Sequence, residues 1–294
     1  MPHIPMEPRL KRIVMTAARL RSGQSEDLSF LHSTLCQVGI PQRRQPIERR
    51  TWEQKNGFTS ILVEAGQAFD PEMEIWRALP LPFGARARLM LIHISTEAVR
   101  TNSSVIHLER SMTATVRSLI GRPPNSRDIY SFKTQVSALA AATIRFATGS
   151  TQVNTQLISG FDLWWMPEDR KRVLWPTYLT LSSDYFETLK RAAVPLDKEA
   201  LHAIQHSALA LDTYVWLAQR LWRINARNFV PWSSLHDQFG AGYKNVRHFR
   251  RDFLKTLRSV LAVYPAARID ERLNKLGNPA GLDLWPSLPP VARR

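Results

Sequence analysis

The chain has 294 residues, 44 % of them hydrophobic, a net charge of +15 and a pI near 10.6; that apolar content supplies cores for one or two ordinary domains and a tail. Its single cysteine, Cys36, excludes an internal disulfide framework, and no run approaches the roughly 18 consecutive apolar residues of a membrane-spanning helix. So positive a balance asks for a polyanionic partner, nucleic acid before an anionic membrane.

Residues 1–55 read as a poorly ordered, flexible basic arm, with prolines at 2, 5 and 8 and a polar cluster from Pro41 to Arg50. Two short helices are expected inside it, Arg9–Arg21 and Leu28–Val38. Arg43, Arg44, Arg49 and Arg50 suit a phosphate-contacting arm and, equally, a solubilising linker. The basic amino terminus lacks an apolar run before a small-residue cleavage site, so it does not read as a secretory signal, and a cytoplasmic location is expected. Nothing around Cys36 suits a nucleophile or a metal ligand; it reads as a small buried residue.

A first domain is expected over 56–195. Phe58–Ala65 is a compact apolar run with β-branched residues, a strand. A proline-rich turn follows at Leu79–Gly84, then a helix over Ala85–Thr101 with Leu89, Ile92 and Val99 turned inward. Val105–Leu108 is extended, and Ser111–Ile120 is a second helix closed by Gly121. The third, Ser126–Phe146, has Ile129, Phe132, Val136, Leu139 and Ala140 on one side. Arg127, Tyr130, Ser131, Thr134, Ser137 and Arg145 occupy the other, a set suited to base edges or to an ordinary exposed face. Gln152–Trp165 and Lys171–Leu181 read as strands joined by a turn at Pro167–Arg170. Ser182–Arg191 is a short helix and Ala192–Leu196 a connector.

A second domain, 196–290, repeats the order, leaving a tail at 291–294. Asp197 caps a helix running to Arg223, with Glu199 in its first turn. A break at Asn225–Pro231, a short helix over Trp232–Phe239 and a Gly240–Gly242 turn lead to the segment Lys244–Tyr264. At about 100° per residue, Val246, Phe249, Phe253, Leu257 and Val260 form an apolar stripe. Lys244, Arg247, Arg251, Lys255 and Arg258 line a cationic stripe beside it. Ala267–Asp270 and Gly281–Trp285 then read as a hairpin. Helix, short helix, tight turn, basic helix, hairpin is the order of a winged helix-turn-helix, whose third helix enters the major groove. The fold class expected is therefore α+β and mostly helical: two tandem winged-helix domains after the arm.

Catalytic, cofactor and metal motifs are not found. Gly240–Lys244 lacks the preceding strand and full spacing of a phosphate-binding loop, and no cysteine or histidine spacing suits a metal. His93 reads as a core or interface histidine. Trp164, Trp165, Trp175, Trp216, Trp222 and Trp232 fall in or at the ends of predicted elements, where core packing is expected rather than base stacking.

Several blocks in fixed order then carry a resemblance: Leu81–Arg100, Phe161–Trp165, Leu174–Leu181, Val194–Asp197, Ser207–Leu217, Pro231–Gly240, Phe249–Leu257 and Val263–Ala266. From about Phe58 to Pro290 the chain resembles the RepA-type plasmid replication initiators of Gram-negative bacteria. One departure is Gly121–Asn125, which replaces a more glycine- and basic-rich loop. The resemblance implies a non-enzymatic origin-binding protein that recognises directly repeated (iteron) double-stranded DNA, melts an adjacent A+T-rich region and helps recruit the host helicase and initiator proteins. It also implies a homodimer in equilibrium with monomer, the dimer repressing its own promoter. The alternative is a winged-helix transcriptional regulator with no replication role.

The DNA contacts expected are Arg127, Tyr130 and Thr134 in the first domain and Lys244, Arg247, Arg251, Lys255 and Arg258 in the second. Arg127 and Arg247, near helix starts, are the expected base readers; Lys255 and Arg258 are the expected phosphate clamps. Each domain is expected to place its third helix in a major groove, about one helical turn apart.

Overall fold

The computed structural model describes residues 7–21, 27–70, 73–108, 112–148, 151–153, 157–164 and 175–291. They fall into two compact units, one of residues 30–193 and one joining the first 29 residues to residues 194–294. The predicted turn at Pro167–Arg170 and residues Trp165 and Lys171–Leu174 lie outside the described residues.

The first helix, α1 (Pro8–Arg21), belongs to the second unit. Strand β1 (Leu28–His32) follows, and the chain leaves that unit within it. Here two expectations are corrected. Residues 27–55 are not a loose arm, and Leu28–Val38 is not a helix, because the β1 segment alternates half-buried and buried positions over its first four residues before the chain turns at 33–38.

Within the unit of residues 30–193, β2 (Thr51–Asn56) and β3 (Thr59–Glu64) form a hairpin whose turn places Gly57 at φ 57°. Strands β4 (Gln67–Asp70) and β5 (Ile75–Ala78) form a second, separate hairpin. Next come α2 (Gly84–Thr101), β6 (Val105–His107), α3 (Met112–Ile120) and α4 (Ser126–Ala141). The third helix was expected to reach Phe146; it stops at Ala141 instead. Ile144 and Phe146 are buried while Thr143 and Arg145 are not, a period of two, and β7 (Thr143–Thr148) pairs with β3 through Val63↔Ile144 and Leu62↔Arg145. Strands β8 (Thr151–Val153), β9 (Ile158–Trp164) and β10 (Trp175–Leu181) and helix α5 (Ser183–Ala192) complete the unit. Its sheets run β2-β3-β7-β8 and β6-β10-β9. Ile61, Val63, Met90, Phe132 and Ile144 are fully enclosed.

Strand β11 (Ala193–Asp197) returns the chain to the second unit, followed by α6 (Lys198–Ile204) and α7 (Ala208–Arg220). The single helix expected from Asp197 to Arg223 is thus two. Asp197 caps the first by accepting from Ala200 N–H at 2.8 Å, and Ser207 restarts the second by accepting from Ala210 N–H at 3.2 Å. Then come β12 (Asn228–Pro231), α8 (Trp232–Phe239), α9 (Val246–Val263), β13 (Arg268–Leu273) and β14 (Pro279–Trp285). The sheet runs β12-β14-β13. Helix α1 packs on α6 and α9.

The two units share a plan. Helix–strand–helix–helix–strand–strand describes both α2-β6-α3-α4-β9-β10 and α7-β12-α8-α9-β13-β14, with β7 and β8 interposed in the former. In each sheet the last strand of the series sits in the middle, β6-β10-β9 and β12-β14-β13. Short helix-to-helix connections and an antiparallel ribbon leave the last helix of each series with one face on the core and one in solvent.

Candidate nucleic-acid interface

Helix α9 is divided along its length. Phe249, Phe253, Leu257, Val260 and Val263 are buried; burying each such side chain contributes roughly 1.5–3 kcal/mol. Trp232 meets Phe249 and Phe253 edge-on at 6.4 and 6.0 Å, and Phe239 lies 5.5 Å from Phe253. Val246, expected in the apolar stripe, is 43 % exposed, because at the first helical position it precedes the turn that meets α8.

The start of α9 is fixed by short-range bonds. Asn245 Oδ1 accepts from Arg247 N–H at 2.8 Å, and His236 Nε2 lies 3.1 Å from Tyr243 O. Gly240 is demanded by close approach, since a Cβ there would lie 2.6 Å from His236 O. Lys244, Arg247, Arg251, Lys255 and Arg258 are all exposed, and so is His248. They are not equivalent. Arg251 Nε donates to Asp252 Oδ1 at 2.9 Å, and that hydrogen bond foremost draws the Asp252 carboxyl below its ordinary range. Arg251 therefore meets an anion only in competition with its neighbour.

The corresponding face of α4 is less charged. Arg127 is exposed and Tyr130 is 50 % exposed. Thr134 is half-buried, and its hydroxyl donates back to Tyr130 O at 3.0 Å, so it offers a base edge only its acceptor lone pairs. Ser137, expected on this face, is buried, and Arg145 sits on β7 in an ion pair with Glu64. Asn125 and Asp128 form a reciprocal cap at 2.9 and 3.2 Å. Asp128 also takes ion pairs from Arg86 and Arg122, each 2.8 Å. Burial alone would raise this carboxyl, but the Asn125 N–H and the two guanidiniums outweigh it and hold it below the ordinary range. Arg122, the one cation of the departing Gly121–Asn125 loop, is thus committed to the fold.

Sequence reasoning placed the β13–β14 hairpin but missed the arginines around it. Arg227 and Arg268 lie over Trp285 at 5.6 and 5.8 Å, while Arg272 pairs with buried Asp283 and covers Phe229 at 4.2 Å. The β13–β14 turn, with Gly277 at φ 76°, presents Lys275 and Leu276 to solvent. The alternation of Arg268, Asp270 and Arg272 was the available signal. Among the tryptophans, Trp216 and Trp232 are buried as expected, whereas Trp222 is 39 % exposed beside Arg223; the side chains of Trp164 and Trp175 lie outside those described. Cys36 is buried. Among the described residues no group of acidic, histidine and cysteine side chains is placed to hold a metal, and no helix is long and apolar enough to cross a membrane.

These features define a mixed α+β protein with two architecturally repeated units, one of them carrying an exposed cationic helix. The family model for plasmid-encoded RepA proteins matches residues 81–233, just over half of the chain. The chain belongs to that family, the RepA-type plasmid replication initiators. The match begins just before α2 and ends in the first turn of α8, so α9 lies beyond it. Two crystal structures of domains 2 and 3 of RctB resemble the fold at 12 % identity, each covering 86 % of this chain and 96 % of that one, with TM-scores of 0.55 and 0.50. Comparison with curated protein sequences finds no match.

Proposed function

We propose that this chain initiates plasmid replication by binding directly repeated duplex DNA at the origin, without itself making or breaking a covalent bond. Its two units are read as winged helix-turn-helix domains, with α4 and α9 as the groove-entering helices. The observation that carries this reading is the α9 face. Four α9 cations, Arg247, Arg251, Lys255 and Arg258, stand exposed opposite a face that is buried and apolar, and Lys244 is exposed just before the helix. The charge also opposes the helix's own dipole: Arg247 sits in a first turn with no acidic residue, and the last turn holds no basic one. Cations at a helix start cost about 0.3–1 kcal/mol each. Such a local conflict with stability marks a functional position rather than a structural one.

In this reading Arg247 and Arg127 read base edges, Lys255 and Arg258 neutralise phosphates, and Lys244 and Tyr130 flank them. Family membership supports the origin as the site of action. Melting of a neighbouring A+T-rich tract, recruitment of host helicase and initiator proteins, autorepression by a dimer and a cytoplasmic location complete the proposal.

The test is a nuclease footprint over the DNA flanking the gene. Protection of short direct repeats beside an A+T-rich tract is expected, and protection of a single promoter palindrome would instead indicate a transcriptional regulator. An Arg247→Ala/Arg251→Ala variant with wild-type footprint and affinity would remove α9 from the interface.

A further inference from the structure

Strands β4 and β5 stand apart from the sheets of their unit, paired only with each other among the described strands. The base of this hairpin is fixed. Arg50 donates to Leu79 O at 2.7 Å, Ala65 O at 2.7 Å and Gly66 O at 2.8 Å, and a Cβ at Gly66 would fall on the Ala141 carbonyl at the end of α4. Ala68 and Asp70 are buried, and Asp70 takes Arg77 Nε at 2.8 Å. What is left outside is apolar. Phe69 and Trp76 face each other across the strands, their ring centroids 5.6 Å apart, and are 41 and 66 % exposed; Met73 and Ile75 are exposed as well. A two-stranded ribbon gains little stability from such side chains, and an exposed apolar cluster marks a surface that binds.

Charge narrows the partner. The segment Gln67–Ala78 holds three acidic residues and one basic, within a chain of net charge +15. It repels phosphate, so it suits neither DNA nor an anionic membrane, but a protein surface that is both apolar and cationic. Helix α1 has such a surface. One side packs on α6 and α9, while Leu10, Val14 and Met15 are 49–51 % exposed. Lys11 and Arg21 are exposed too, and the helix contains no acidic residue. At 100° per residue these five side chains fall within an arc of about 140°.

Direct repeats dictate how such faces meet. Copies bound to them follow one another in one orientation, so neighbours touch through two different surfaces and not through one surface related by a two-fold axis. The hairpin docked on itself would also set Glu74 of one copy against Glu74 of the other.

We propose that the β4–β5 hairpin of one copy docks on α1 of the copy bound to the adjacent repeat, with Phe69 and Trp76 lying on Leu10, Val14 and Met15. This deepens the origin-binding reading and rests on it. Adjacent repeats hold two copies at high effective concentration, so a patch of this size suffices on DNA without a tight complex off it.

The experiment titrates the full chain onto duplexes carrying one or two of the footprinted repeats and reads occupancy by gel mobility. The second repeat is expected to fill about tenfold more tightly than the first. Phe69→Ser/Trp76→Ser and, separately, Val14→Gln/Met15→Gln are expected to bind one repeat as the wild type does and to lose that factor. An equimolar mixture of the two variants should regain part of it, because one order on the repeats brings an intact hairpin to an intact α1. Wild-type cooperativity in either variant overturns the contact, and a mixture that regains nothing overturns the pairing of these two faces. If the wild type fills both repeats independently, the docking is wrong while the duplex-binding reading stands. If no direct repeat is bound at all, that reading falls and the docking with it.

Discussion

Arginine is used here in two incompatible ways, and surroundings decide which. Arg50 and Arg88 donate to part-buried and buried backbone carbonyls, and Arg86 and Arg122 share one carboxylate. Arg247 and Lys255 stand exposed on α9. Lys255→Ala should therefore weaken binding to all duplexes alike and reduce the salt slope by about one unit, measured by anisotropy titration. Arg247→Ala should instead erode discrimination at one base position by about 1–3 kcal/mol, measured with single-base variants of the protected repeat. A different residue sets the acid limit of the central unit. His32 is clustered with Phe146 at 5.9 Å and Tyr185 at 5.4 Å, and burial lowers its pKa to about 4. Between that value and about 6.5 the unfolded chain binds a proton that the folded one refuses, so stability rises with pH across this window. Denaturant unfolding should show a loss approaching about 3 kcal/mol from pH 7 to pH 4 through this group. In His32→Phe the dependence should flatten, although Thr34 N–H, 3.1 Å from His32 Nδ1, loses its acceptor and the variant starts lower.

Among the elements, legibility followed the kind of contact that builds each one. Helices α2, α3, α5, α8 and α9 were readable within a residue or two because their signals are local: Ser182 capping α5, Gly121 at φ 64° closing α3, and a 3.6-residue apolar period in α9. What was lost depends on distant partners. The Thr143–Thr148 strand continued an alanine-rich helix in sequence, and pairing with β3, some 80 residues earlier, draws it into a sheet. Strands β2, β4 and β5 are largely polar or exposed and give no clean alternation of hydrophobicity. The candidate DNA face was legible in α9, where charge and periodicity coincide. It was poorly legible in α4, where Ser137 is turned inward and Arg145 lies off the helix. Two substitutions test how α9 is seated. Phe253→Ala removes a fully buried ring touching Trp232, Phe239 and Phe249 and should cost about 3–5 kcal/mol in chemical unfolding. Gly240→Ala drives a methyl group against the His236 carbonyl and should cost about 1–3 kcal/mol while displacing the start of α9, which would also weaken DNA binding.

At the scale of the whole molecule, the order of the chain is not the order of its units. The amino-terminal helix belongs with residues 194–294. Composition could not reveal this, since a basic, proline-flanked segment reads as a solvated arm until something with a matching apolar face is known to lie under it. Helix α1 has such a face: Ile13, Thr16 and Ala17 are buried, and the helix packs on α6 and α9. The ion pair of Arg19 with Glu199 at 3.2 Å is exposed and adds little; burial is what holds α1 in place. Ile13→Ala should then cost about 2–5 kcal/mol, and deleting residues 1–21 should cost more, because it also bares the apolar surfaces of α6 and α9. The measurement is urea unfolding of the full chain beside each variant, followed by the near-ultraviolet signal of Trp216 and Trp232. A free arm would leave that transition unmoved. An integral α1 shifts it to lower denaturant and, by loosening the support of α9, carries a loss of DNA affinity with it even though none of the exposed α9 cations has been changed.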